Sequence, residues 1–263
     1  MGKATRRRSP VRPDRPLWNL GQRSRGRTRR SKRFVWFRKI PFKLFLGMVG
    51  LFFLFKIFTL PLFSIANLDT DNPKVTALMQ QRKEEAKDTG NTLRIDYRWV
   101  SLSKIPKHVR MAVLVAEDGA FYSHAGVDWH EVWASVETNL EKGRIVRGGS
   151  TITQQLAKNL YLSTSRDPIR KLKELLITWM LEARLGKKRI LELYLNIIEW
   201  GPGMFGIEAA AQRHFHKPAS QLTREEAARL AAVIPSPLRR RPTDDNDYVN
   251  KKTQLILKRM STR

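Results

Sequence analysis

The 263-residue chain has no cysteine, which excludes disulfides and thiolate metal sites and fits an exported protein. It is also short of acid: 24 Asp and Glu stand against 50 Lys and Arg, a formal net charge of +26. No run of alternating apolar and polar residues is long enough for a convincing sheet, and no segment repeats. A β-rich or disulfide-stapled fold is therefore not expected. At this length, with 41% apolar residues, there is room for one catalytic domain plus accessories.

The cations are unevenly spread. Residues 1–43 hold 16 Lys and Arg against the single acid Asp14. With its Pro, Ser and Gly, this tail is expected to be disordered. Its charge alone suits nucleic acid or anionic lipid equally. The next segment, "LFLGMVGLFFLFKIFTLPLFSIA", decides between them. Residues 44–66 carry one charge, Lys56, and at a helical rise of 1.5 Å per residue they reach across about 30 Å of hydrocarbon. Core helices are seldom apolar all round over such a length. Lys56 costs roughly 2.5–3.5 kcal/mol at a helix centre, and from beyond the middle it snorkels outward. The basic block before the span places the tail in the cytoplasm and the remainder outside. A cleaved signal peptide is the rival, because "SIA" at 64–66 is a small-x-small pattern. The retained anchor is preferred, since the apolar stretch exceeds a usual signal core. The expected organisation is a basic cytoplasmic tail (1–43), a transmembrane signal-anchor helix (44–66), a membrane-proximal linker (67–92) and a catalytic domain (93–263).

Beyond the span the pattern is helical. A short helix is expected around "VTALMQQRKEEAK", another after Pro106 running into "ED", and a third through Val132, Val136 and Leu140 with Gly143 as its stop. Ile152, Leu156 and Leu160 continue the period. Asp167 and Pro168 open the next helix and Gly186 closes it. "KKRILELYLNIIEWG" follows, then a glycine-broken loop "GPGMFG", then a capping box at Thr223 and Glu226. The fold class read here is mainly α.

Three clusters carry chemistry. In "AEDGAFYSHAGVDW" the adjacent acids Glu117 and Asp118 end an apolar helix. A neighbouring carboxylate and partial burial both disfavour ionisation, which poises Glu117 as a base. A solvated helix terminus is the bland alternative. His124, without partners, makes no metal site and is read as orienting the loop. In "RGGSTITQQLAKNL" two glycines precede a capped helix start, an arrangement suited to an anion. No lysine stands at Walker-loop spacing, and Gln155 and Asn159 share a helix face. In "RDPIRKLKE", Arg170 and Lys171 lie four and three positions before Glu174 and project with it. That is either a surface salt bridge or a carboxylate among cations (Lys158, Arg166, Arg170, Lys171) that hold phosphate oxygens. "SLSK" at 101–104 matches a Ser-x-x-Lys motif but lacks its partners and is read as chance. A glycoside hydrolase has no need of a ring of cations. A transferase expelling a diphosphate needs one base and several cations, and that is the inventory present.

"EDGAFYSHAGVD", "GGSTITQQLAKNL", "RKLKE" and "KKRILELYLNIIEWG" resemble, in order, the successive motifs of the peptidoglycan glycosyltransferase family, shared by class A penicillin-binding proteins and monofunctional enzymes. The resemblance runs from about residue 93 to 242. It implies a lysozyme-like helical catalytic domain that polymerises lipid II, with the growing lipid-linked glycan as donor, inversion at the MurNAc anomeric carbon and release of undecaprenyl diphosphate. By resemblance Glu117 is the base and Glu174 the second essential carboxylate. Ser150, Gln155, Lys158, Asn159, Arg166, Arg170 and Lys171 fall where the family binds donor sugar and phosphates, and Asp118 is an orienter or metal partner. Glu192, Tyr194 and Asn196 match the fourth motif, where structural support and substrate contact stay open as alternatives. The family often uses Mg²⁺ or Mn²⁺, for which Glu117 and Asp118 are the acids at hand. The chain ends at Arg263 without room for a transpeptidase domain, so a monofunctional enzyme is expected. Its location would be the bacterial inner membrane, with cell-wall synthesis or division proteins as partners and no nucleic acid. A lytic enzyme acting on the same glycan is the alternative.

Overall fold

Apolar residues three and four apart build helices that bury one stripe each, and helices of this kind make up most of the protein. The computed structural model describes residues 61–144, 148–165 and 167–262, together with Phe42, residues 44–48, Gly50 and Leu51. The chain divides into two units, residues 1–55 and 56–263. In the first, the described positions are helical and exposed. The basic tail up to residue 41 lies outside the described residues, as do residues 49 and 52–60 of the expected span. Among the described residues no helix is long and apolar enough to cross a membrane.

The second unit holds ten described helices: α1 (Leu62–Asn67), α2 (Ala77–Asp88), α3 (Lys107–Glu117), α4 (Trp129–Glu141), α5 (Ile152–Tyr161), α6 (Pro168–Arg184), α7 (Lys187–Ile197), α8 (Ile207–Phe215), α9 (Arg224–Val233) and α10 (Asp247–Ser261). Their starts follow the local chemistry. Asp167 accepts the Ile169 amide ahead of Pro168, and Thr223 and Glu226 form the expected capping box. Thr151 and Gln154 form a second one, at the start of α5. Gly186 sits just beyond the end of α6 and serves as the N-cap of α7.

Helix α7 is the centre of the domain. Seven of its residues from Ile190 to Ile197 are buried, including fully buried Leu193, Tyr194 and Leu195, as befits a helix enclosed on all sides. Helix α5 packs against α6 and α7, while α3 packs against α9 and α10. Val109, Ala112 and Val113 of α3 meet the alanine-rich face of α9 (Ala227, Ala228, Ala231) in one continuous core. At roughly 1.5–3 kcal/mol per fully buried large aliphatic side chain, this packing holds the ends of α3 and α5 beside each other.

One reading of the sequence needs correcting. The "GPGMFG" loop is a hairpin: β2 (Glu199–Gly201) pairs antiparallel with β3 (Met204–Phe205), and β1 (Asp96–Tyr97) adds in parallel, giving the order β1-β3-β2. Strands of two or three residues are too short to show alternation. Gly203 turns the hairpin at φ 69°, where a Cβ would stand 2.6 Å from the Arg94 carbonyl oxygen. Helix α4 forms where expected, with its apolar stripe outside. Trp133 and Leu140 are 70% and 77% exposed, and Trp129 and Val136 are exposed too. Periodicity locates an apolar face without saying what covers it.

Candidate active site

Glu117 is the last residue of α3, and Asp118 follows as its C-cap. The Asp118 carboxylate is buried. It accepts a hydrogen bond from His124 Nε2 (2.9 Å to Oδ1) and one from the Ile152 amide (3.0 Å to Oδ2). His124 Nδ1 accepts the Gly126 amide at 3.1 Å, so the ring proton sits on Nε2 and donates to Asp118. A carboxylate at the first turn of α5 also suits the helix dipole. Thr151 Oγ1 donates to the Gly126 carbonyl at 2.6 Å. Asp118, His124 and Thr151 thus lock together the end of α3, the 121–126 loop and the start of α5.

From that fixed helix Gln155 Nε2 donates to Glu117 Oε2 at 2.9 Å. The opposite end of its amide, Oε1, accepts from the Tyr194 hydroxyl at 3.0 Å. Tyr194 is wholly buried on α7. Burial first, then the nearby Glu117 and Asp118, hold its hydroxyl well above the ordinary range, so it stays a neutral donor. Burial likewise pushes the Glu117 carboxyl up. The Gln155 hydrogen bond opposes that most, followed by Lys252 and Lys158, while Asp118 adds to the rise.

One turn beyond Gln155, burial lowers Lys158. Glu174 opposes this, Arg170 and Lys171 press the same way as burial, and Glu117 opposes it weakly. Glu174, 3% exposed on α6, pairs with Arg170 Nη1 at 2.6 Å and with Lys171 Nζ. Lys171 Nζ also reaches Ser150 Oγ at 3.5 Å, linking the glycine loop to α6. The structure therefore brings together Glu117, Asp118, Ser150, Gln155, Lys158, Arg170, Lys171 and Glu174. Asn159 is buried on α5 without a side-chain hydrogen bond among the described residues, and Arg166 lies outside them. Glu192 accepts the Leu102 amide at 3.0 Å and pairs with Arg189. Asn196 brackets Val100, accepting its N–H and donating to its carbonyl, each at 2.8 Å. Both stitch α7 to the 100–102 segment, and only Tyr194 of that motif reaches the site.

Glu117 and Asp118 open onto a cavity of about 730 Å³ whose far walls are Gly148, Gly149 and Ser150 and the start of α4. An added Cβ at Gly148 would meet nothing within 4 Å, whereas at Gly149 it would stand 3.1 Å from Val132 Cα. The first glycine leaves the cavity open and the second lets the loop lie against α4. Arg259 and Thr262, at the end of α10, complete the lining. Sequence reasoning missed both, because an arginine in the last turn of an amphipathic helix carries no local mark of a site. The acids present do not fit a resident divalent cation. The Asp118 oxygens are taken up by His124 and the α5 amide. Among the described residues no three His, Asp or Glu side chains converge as a metal site.

A hydrogen-bonded carboxylate of raised pKa at a cavity, with Lys158, Arg170 and Lys171 gathered around Glu174 on α5 and α6, suits removal of a proton from a neutral group while negative charge departs nearby. A model of the family described as Transglycosylase matches residues 85–261. The chain belongs to the transglycosylase family. A biosynthetic peptidoglycan transglycosylase of Laribacter hongkongensis is 45% identical over 217 residues, 82% of this chain and 95% of the relative. One of Nitrosospira multiformis is 41% identical over 229 residues, 87% and 98% of the two chains. One of Methylobacillus flagellatus is 48% identical over 166 residues, 63% and 72%. The transglycosylase match spans both carboxylates, the glycine loop and α10.

Proposed function

We propose that the protein is a peptidoglycan glycosyltransferase that polymerises lipid II into β-1,4 glycan strands. As a member of the transglycosylase family the chain is a glycosyltransferase, and its relatives' names point to peptidoglycan and so to the cell envelope. In the proposed reaction the acceptor GlcNAc 4-hydroxyl gives its proton to Glu117 as its oxygen attacks the anomeric carbon of the donor MurNAc. The bond from that carbon to the diphosphate oxygen breaks, and undecaprenyl diphosphate leaves with inversion. Gln155 occupies Glu117 Oε2, which assigns the proton to Oε1. Lys158, Arg170 and Lys171 receive the departing charge, with Arg166 expected among them. Glu174 keeps Arg170 and Lys171 in place. Ser150, Asn159 and Gln155 are assigned to the donor, and Asp118 acts as the orienter of the α3–α5 junction.

The observation that carries this reading is the placement of Gln155 and Lys158 on one rigid helix. The first bonds the base, and the second stands electrostatically between Glu117 and Glu174. A lysozyme-like helical domain behind a single membrane anchor at 44–66, with the tail cytoplasmic, completes the proposal. The bare Trp129, Trp133 and Leu140 of α4 support a domain that works at a lipid surface. Asp128, His130 and Glu131 at the start of α4 line the cavity, so this apolar face begins at its mouth.

The deciding experiment is lipid II polymerisation by detergent-solubilised protein, wild type beside Glu117→Gln, with products resolved by length. Long glycan from wild type alone is expected. Cleavage of preformed strands without synthesis would instead make the protein a lytic enzyme.

A further inference from the structure

A second cavity, of about 1040 Å³, opens between the β-hairpin, the end of α8 and the 237–244 segment. It shares no lining residue with the cavity that holds Glu117. Six of its lining residues are arginines (94, 98, 213, 239, 240 and 241), against two acids, Asp96 and Asp244. Asp96 is engaged by Arg98 at 3.2 Å, and Asp244 accepts the Arg241 backbone amide at 2.9 Å. Arg240 stacks on Tyr248, 3.5 Å from the ring centroid. The guanidiniums of Arg94, Arg213, Arg239 and Arg241 enter no ion pair among the described residues.

The wall of the cavity holds a second feature. Trp200 is fully buried in the cavity wall, and its Nε1–H has no acceptor among the described residues, nor has the buried His214 Nε2 a partner. Buried indole N–H groups usually find one. His214 is lowered chiefly by burial. A backbone hydrogen bond to Trp200 opposes this, Arg241 and Arg213 depress it further, and Asp244 opposes them. The positive field of the cavity is thus felt inside its wall. Among the described residues no carboxylate pairs with these four guanidiniums, so their mutual repulsion has no structural return here.

We infer that this cavity is a binding site for a ligand carrying two or more carboxylate or phosphate groups, held by Arg94, Arg213, Arg239 and Arg241. Planar guanidinium forks match both oxyanions bidentately. The volume is that of a site for a small molecule or a short peptide rather than a single inorganic ion. Met204 and Leu238 in the lining give the ligand's nonpolar spacer a wall.

The test uses the full chain in detergent, labelled at the indole nitrogens, with the Trp200 cross-peak assigned by its loss in Trp200→Phe. Inorganic pyrophosphate and a tetraglutamate peptide are titrated separately. A saturable shift of the Trp200 peak is expected, with pyrophosphate, the peptide or both, and which probe acts distinguishes a phosphate source from a carboxylate source. Arg213→Gln with Arg241→Gln should weaken that binding about tenfold or more and leave glycan synthesis intact. Arg94→Gln serves as a second variant should the pair disturb the other indole peaks. No shift with either probe overturns the site. So does a shift unchanged in the arginine variants, or a loss of glycan synthesis with them, which would merge this cavity with the catalytic one.

Discussion

The Tyr194 hydroxyl donates to Gln155 Oε1 at 3.0 Å, and the other end of the same amide donates to Glu117 Oε2 at 2.9 Å. Because an ionised Glu117 can only accept, the amide nitrogen faces it and the amide oxygen is left to accept from Tyr194. Tyr194→Phe leaves the Gln155 oxygen unpaired and loosens the amide, at a cost of about 1 kcal/mol. The expected outcome is a fall of about tenfold in kcat with little change in KM, together with an acid limb moved to higher pH. A tyrosine that served only the fold would leave the pH profile where it was.

Glu117→Gln should lower turnover by about 10²–10⁴-fold, the usual worth of a general base. It should not destabilise the protein. Burial raises the Glu117 carboxyl, so the folded state holds the proton longer than the unfolded one. The stability this contributes at low pH is lost as pH rises through the folded value. Thermal melts should therefore place the glutamine variant at or above wild type in mildly alkaline buffer, with the gap closing in acid. A large loss of melting temperature at all pH values would mean the side chain is structural.

The pH–rate profile should be a bell narrower than free side chains would give. Its acid limb follows Glu117, raised by burial, and its alkaline limb follows Lys158, lowered by burial. Gln155→Ala removes the hydrogen bond that most opposes the rise of Glu117, so the acid limb should move further up in kcat/KM. Movement downward would show that Gln155 acts otherwise.

Glu174→Gln leaves Arg170 and Lys171 without the carboxylate that orients them. The expected cost is roughly 1–3 kcal/mol of stability, read by chemical denaturation, with a loss of turnover. Raising the salt concentration should not restore it, because the Glu174 side chain is buried and poorly screened.

The anchor is tested at the N-terminus. Sequencing of membrane-extracted protein should begin in the basic tail, and a start at Asn67 would establish a cleaved signal peptide instead.

Much of this arrangement was legible in the order of residues. The helices announced themselves through period and caps, and the Arg170–Lys171–Glu174 triangle follows from i, i+3 and i+4 spacing alone. Glu117 and Gln155 were each marked by their own surroundings. Their contact across 38 positions was not, because no local pattern encodes which helix faces which. The same limit hid Arg259, whose Nη1 meets the Val115 carbonyl at 3.3 Å, and the three-stranded sheet. It also hid the fate of α4, since Trp133 and Leu140 have the spacing of a core face and the exposure of a surface.

Arg259 and Thr262 close the cavity that Glu117 opens, and Arg259 is made 144 residues after the carbonyl it holds. At a synthesis rate of about 5–20 residues per second, Glu117 exists on the order of ten seconds before the last wall of its cavity. A nascent chain therefore carries its acid and its cations for that interval without an enclosed place to use them. Under the proposed function, turnover is expected only once the final turn of α10 has docked against the Val115 carbonyl.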